Sequence, residues 1–131
     1  MPVATVLVDA ANTVGSRPDG WWRDRAGATS RLLARLAALP GTALPGEGGP
    51  VPVDSVVAVV EGAARDVAAP DGVAVVRAPR SGDDAIVAEA VRLAAGGVDV
   101  LVVTADRGLR ARLPAGVAVT GPGRLLAALP G

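Results

Sequence analysis

Apolar residues run along this chain in two rhythms. Short, nearly unbroken runs rich in valine occupy residues 3–8, 53–60, 73–77, 98–103 and 117–119. Such runs read as strands buried on both faces. Between them the spacing changes. Residues 23–38 carry Leu32, Leu33 and Leu36 at helical intervals, followed by Leu39, and Pro40-Gly41 stops that helix. Residues 81–95 predict a second helix, closed by Gly96-Gly97. Its start, Ser81 with Asp84 three positions on, has the form of a capping box. A short helix follows residue 106 to about 113, and residues 124–129 predict a terminal helical turn. Segments 10–22 and 40–52 hold Gly and Pro without a period and are expected to be loops. Neither flank of 40–52 is large enough to stand alone, so that segment is not read as a linker.

Strands that alternate with helices imply an α/β domain with a parallel sheet covered on both faces. A chain of 131 residues fits one such domain with a real core, spanning 1–131. Ligands of open parallel sheets bind beyond the carboxyl ends of the strands, near the point where the strand order reverses. Acidic residues occupy those places here. Asp9, Glu61 and Asp106 each follow a strand run, and Asp83-Asp84 open a helix that can face the same edge.

Composition sharpens this picture by elimination. The chain has no His, Cys or Tyr, and all 13 of its basic residues are Arg. Carboxylates, hydroxyls, Asn and Arg are what remains for chemistry, and oxygen ligands suit a hard divalent cation. Carboxylates gathered at one edge repel one another, and a bound Mg²⁺ or Mn²⁺ relieves that repulsion. Such an ion acidifies a bound water and stabilises charge on a phosphoryl oxygen, which suits phosphodiester hydrolysis. Each acid also has a plainer role available. Asp84 fits the capping box, Asp106 the N-cap of the next helix, and Glu61 a solvated loop.

Several other acidic-edged folds fail on single residues. A receiver domain needs a Lys after its fifth strand, and the chain has none. A haloacid-dehalogenase-type phosphatase needs a second Asp two residues after the first, where Ala11 stands. No Gly-rich loop ending in Lys-Ser/Thr is present, and Ser-His-Asp and Cys-His hydrolases are excluded by composition.

The segments VLVDAANTVGS, SGDDAIV and VVTADRGLR, in this order and spacing, resemble the PIN-like nucleases, and within them the NYN/YacP-like branch. The resemblance covers nearly the whole chain. It implies a three-layer α/β/α Rossmann-like PIN domain, with a mainly parallel sheet of about five strands. It implies a Mg²⁺- or Mn²⁺-dependent ribonuclease in which Asp9, Asp106 and one of Asp83 and Asp84 hold metal, directly or through water. Asn12 and Thr104 would orient ligands or phosphate. The branch usually has Asp where this chain has Glu61, whose longer arm bears on a second metal position. Alignment on SGDD favours Asp83, whereas the Asp-Ala-x-x-Ala pattern favours Asp84; the capping box tips the balance toward Asp83. Two other functions stay open: a non-catalytic RNA-binding or regulatory domain, and a small-nucleotide phosphohydrolase of the NTP pyrophosphohydrolase type. The last lacks any Glu-rich helical motif but could use the same metal site on a phosphoanhydride.

Substrate contacts are expected from an Arg/Trp segment. Residues 17–25 read RPDGWWRDR and contain both aromatic residues, Trp21 and Trp22, among Arg17, Arg23 and Arg25. One Trp is expected to stack a base and the other to anchor the first helix on the sheet. Arg80 and Arg107 flank the acidic motifs and are expected to hold phosphates. Net charge is zero, so RNA, single-stranded or structured, would be drawn by a local Arg cluster rather than a global field. No run is long enough to span a membrane, and no signal-peptide pattern opens the chain, which gives a cytoplasmic expectation. A homodimer, a protein partner or an antitoxin is left open.

Overall fold

A computed structural model describes residues 3–46 and 48–130. It contains six strands, β1 (Ala4–Asp9), β2 (Ala43–Gly46), β3 (Gly49–Val60), β4 (Val73–Arg77), β5 (Asp99–Val103) and β6 (Ala118–Thr120). Five α-helices join them: α1 (Ala10–Gly15), α2 (Arg25–Leu36), α3 (Gly82–Ala95), α4 (Arg107–Arg112) and α5 (Pro122–Ala128). One parallel sheet runs β4-β3-β1-β5-β6. β2 adds an antiparallel hairpin to the first half of β3, so the sheet is mixed. No helix among the described residues is long and apolar enough to cross a membrane.

Alternate residues of each central strand enter opposite cores, which is why the sequence shows unbroken apolar runs. Val6 and Val8 of β1, Val56, Ala58 and Val60 of β3, and Leu101 and Val103 of β5 pack with leucines of α2 and α5. Leu7, Val57, Val59, Val100 and Val102 pack instead with Ile86 and Ala90 of α3 and Leu109 of α4. Leu33, Leu36, Ile86 and Leu125 are fully buried. Each such side chain contributes roughly 1.5–3 kcal/mol relative to exposure. That drive fixes the register of the strands and, with it, the positions of the residues just beyond them.

Two expected loops hold structure. Residues 10–22 were read as irregular, but α1 occupies the start and a 3-10 turn, Trp21–Arg23, the end. Asp9 caps α1, its carboxylate accepting the Asn12 N–H at 3.2 Å. A six-residue helix is too short to display a hydrophobic period, which is why the sequence did not show it. Segment 40–52 was expected to be an exposed loop, and instead β2 pairs with β3 through Leu44↔Val51 and Pro45↔Pro50. Leu44 is buried in the core. Prolines masked this hairpin because they remove ladder donors, yet here they face each other on one rung. The Pro45 carbonyl accepts the Thr120 hydroxyl at 3.2 Å, which ties β2 to β6. Residue 47 lies outside the described residues.

Chain order creates the reversal that positions the site. The chain steps from β1 to β3 to β4, then α3 carries it back over the sheet to β5 on the other side of β1. The carboxyl end of β1 therefore lies at the switch point.

Candidate active site at the carboxyl edge

The ends of β1 and β5 are joined by a closed set of hydrogen bonds. The Thr104 hydroxyl donates to Asp9 Oδ2 at 3.1 Å and accepts the Asp106 N–H at 3.2 Å. Asn12 Oδ1 accepts the Ala105 N–H at 2.9 Å, while Asn12 N donates to Asp9 Oδ1. Asp106 in turn caps α4, its Oδ1 accepting the Leu109 N–H at 3.0 Å. The capping role expected of Asp106 and its place at the acidic edge thus coexist in one side chain. Asp9 and Thr104 are almost wholly buried, at 5% and 4% exposure.

Burial dominates the electrostatics of Asp9. It lifts the carboxyl pKa from 3.8 to about 6, against the lowering effect of the Asn12 N–H and the Thr104 hydroxyl. The negative fields of Asp83 and Glu61 push in the same direction as burial. Asp83 is also raised, first by desolvation, then by Asp106 and Glu61, with Arg112 opposing. Asp83 and Glu61 thus act on Asp9, and Asp106 and Glu61 on Asp83. Among the described residues, no three carboxylates stand close enough together to form a ready-made metal cage.

At the start of α3 the two aspartates separate. Asp83 is half-buried and carries the fields of Glu61 and Asp106. Asp84 is exposed and ion-paired to Arg112 at 2.6 Å. The Ser81 hydroxyl caps the helix by accepting the Asp84 N–H at 3.4 Å. Glu61 reaches across from the end of β3, and its Oε2 accepts the Gly82 N–H at 2.6 Å. A Cβ at position 82 would lie 2.8 Å from that carboxyl group, so Gly82 is what allows the approach. The longer arm of Glu at this position spans to the α3 N-terminus, where a negative charge meets free N–H groups and the positive end of the helix dipole. The motif SGDD signalled the helix start, but nothing in it indicated that Glu61 would be a cap.

A cavity of about 400 Å³ opens beside the acidic edge, between α1, the 3-10 turn at Trp21, α2 and the end of β3. Trp21, Arg25, Thr29, Glu61 and Arg80 line it, over a floor that includes Ala10 and Val60. Arg25 lies over the Trp21 ring at 5.2 Å from its centroid, and Trp22 meets Trp21 edge-on at 6.0 Å. Trp22 is 53% exposed with Arg23 over its ring. Arg17 lies elsewhere, in a second cleft with Thr13, Arg31 and Arg35. Arg107 is exposed in the first turn of α4. Arg25 belongs to the RPDGWWRDR segment, whereas Thr29 lies in none of the sequence motifs.

No family model matches the chain, and no curated protein matches it either. Solved structures do. A mutant form of Rae1 (YacP) from Bacillus subtilis superposes with a TM-score of 0.68 and 18% identity, covering 95% of this chain and 74% of that one. Another structure of Rae1 (YacP) from the same organism gives 0.66 and 19%, over 97% and 72%. The chain has a YacP-like fold.

Proposed function

We propose that the chain is a metal-dependent ribonuclease with a three-layer PIN-like architecture of the NYN/YacP-like branch. The observation that carries this reading is the edge where the pKa values of Asp9 and Asp83 are raised, first by burial and then by neighbouring carboxylates, Asp83 and Glu61 acting on Asp9 and Asp106 and Glu61 on Asp83. Evolution keeps mutually repelling, partly buried carboxylates chiefly where they do something, and functional sites are where such shifts gather. The YacP-like fold agrees with the branch that the three sequence motifs resemble.

The donor set fits a hard cation: all ligands would be carboxylate oxygens, and Mg²⁺ keeps several waters and takes only one or two direct carboxylates. A loose arrangement without a three-carboxylate cage is compatible with that habit. Asp9, Asp83 and Asp106 would hold the ion directly or through water, with Glu61 nearby and committed to Gly82. When bound, Mg²⁺ or Mn²⁺ supplies an acidified water and charge stabilisation at phosphorus. Thr104 and Asn12 act as positioning residues, holding Asp9 by both oxygens. Asp84, tied to Arg112, stands outside the ligand set. Arg80, from the cavity wall, and Arg107 would meet phosphates flanking the scissile bond.

A non-catalytic RNA-binding domain is the second reading, favoured only by the lack of a ready-made cage. The test is incubation of the purified protein with labelled single-stranded RNA, DNA and free nucleoside triphosphates, in Mn²⁺, Mg²⁺ or EDTA. The proposal expects RNA cut with either metal and intact in EDTA. Saturable RNA binding without cutting in any metal would install the second reading. Turnover of free triphosphates with RNA untouched would make the protein a small-nucleotide phosphohydrolase.

A further inference from the structure

The cavity beside the acidic edge has a composition that the metal chemistry does not use. Its wall is an indole, its floor is made of small apolar side chains, and its rim carries Arg80 and Arg25. Thr29 is 3% exposed and lines the cavity. Glu61 is common to this cavity and to the acidic edge, so an occupant would lie next to the site of chemistry. A volume of about 400 Å³ falls inside the usual range of small-ligand pockets.

We infer that this cavity receives one unpaired nucleobase of the RNA, stacked on Trp21 and hydrogen-bonded by Thr29, with Arg80 on the adjoining phosphate. This rests on the ribonuclease reading for its substrate. A base paired in a duplex cannot enter a pocket of this kind without leaving its stack, so the cavity selects single-stranded or looped RNA. The planar guanidinium of Arg25 now covers the indole and holds a position that a base would take. Arg25 is exposed, and an exposed cation–π contact is worth about 2- to 5-fold in a binding constant. A base stacked on an aromatic ring is worth about 5- to 150-fold. The base therefore displaces Arg25, which is free to swing toward a phosphate.

The protein contains only two tryptophans, so Trp22→Phe leaves Trp21 as the sole indole. Fluorescence of that variant is titrated in EDTA with a single-stranded RNA hexamer, the same hexamer with one abasic position, and its duplex. The expected result is saturable quenching by the single strand, weaker by at least about 5-fold for the duplex. Binding of the hexamer to otherwise native protein, followed by anisotropy, should fall about 5- to 150-fold in Trp21→Leu. Ala11→Leu, which fills the cavity from an exposed helical position without deleting packing, should weaken it similarly. Equal quenching by duplex and single strand would overturn the inference, as would hexamer affinity unchanged by Trp21→Leu and Ala11→Leu. EDTA keeps the outcome separate from catalysis. Metal-dependent cutting with no preference for unpaired bases leaves the ribonuclease reading and removes the base pocket. Selective single-strand binding without cutting does the reverse.

Discussion

Two regions supply carboxylates to one edge and hold them differently. At the seam between β1 and β5, Asp9 is buried, and hydrogen bonds from Asn12 and Thr104 fix both of its oxygens. At the start of α3, Asp83 is half-buried, Asp84 is exposed, and the fixed element is Glu61 on the Gly82 N–H. The seam holds a carboxylate whose position and protonation are set by the fold. The helix start offers carboxylates that are more exposed to solvent. Were the proposed cation bound, one buried ligand and one more exposed ligand would suit an ion that keeps most of its waters. It also explains how the edge can be acidic and coupled without a finished cage.

The largest effect should come from the rigid side. Asp9→Asn keeps the size and one acceptor of the side chain, and RNA cleavage should fall at least about 100-fold with circular dichroism unchanged. Retained activity would mean the seam is only structural.

Stability should move the other way. The folded-state pKa of Asp9 is raised from 3.8 to about 6, so folding favours its neutral form. The associated stability is complete below about pH 4 and is lost as pH rises through 6. Above that, the buried charge costs up to about 3 kcal/mol. In EDTA, Asp9→Asn should be more stable than the native protein at pH 7.5, with the gap closing toward pH 4. Denaturation curves showing a gap independent of pH would refute the burial account.

A third change acts on the bond between the strands. Thr104→Val removes a donor to Asp9 and an acceptor for the Asp106 N–H. It should cost roughly 1–3 kcal/mol in urea unfolding and raise the Asp9 pKa further. A neutral result would show that Thr104 does not brace the seam.

The neighbouring aspartates give the sharpest contrast on the more exposed side. Asp83→Asn should reduce cleavage about 10- to 100-fold. Asp84→Asn removes an exposed ion pair with Arg112, and its effect should stay below about 1 kcal/mol of stability with cleavage nearly unchanged. The reverse order would exchange their roles.

The sequence exposed the regions unequally, for physical reasons. Strand runs and their terminal acids were plain because each central strand is buried on two faces, which makes valine continuous along it. Asp9 and Asp106 were therefore found with their places in the fold. The separation of Asp83 from Asp84 rested on two competing motif alignments and the capping box, and the side chain that distinguishes them, Arg112, lies in none of those motifs. The β2–β3 hairpin was missed because Pro45 and Pro50 conceal a strand pair. The Trp21 cavity was half visible: the RPDGWWRDR segment announced an aromatic wall with Arg25 beside it, but Thr29 joins it only through the packing of α2. Arg17, from the same segment, turned into a different cleft.

Whether the two regions form one site is most directly tested by calorimetric titration of Mn²⁺ into the native protein, Asp9→Asn and Asp83→Asn at the same pH. A shared site predicts one class of Mn²⁺ binding in the native protein, weakened at least about 10-fold by either substitution. Native-like Mn²⁺ affinity in either variant would contradict it.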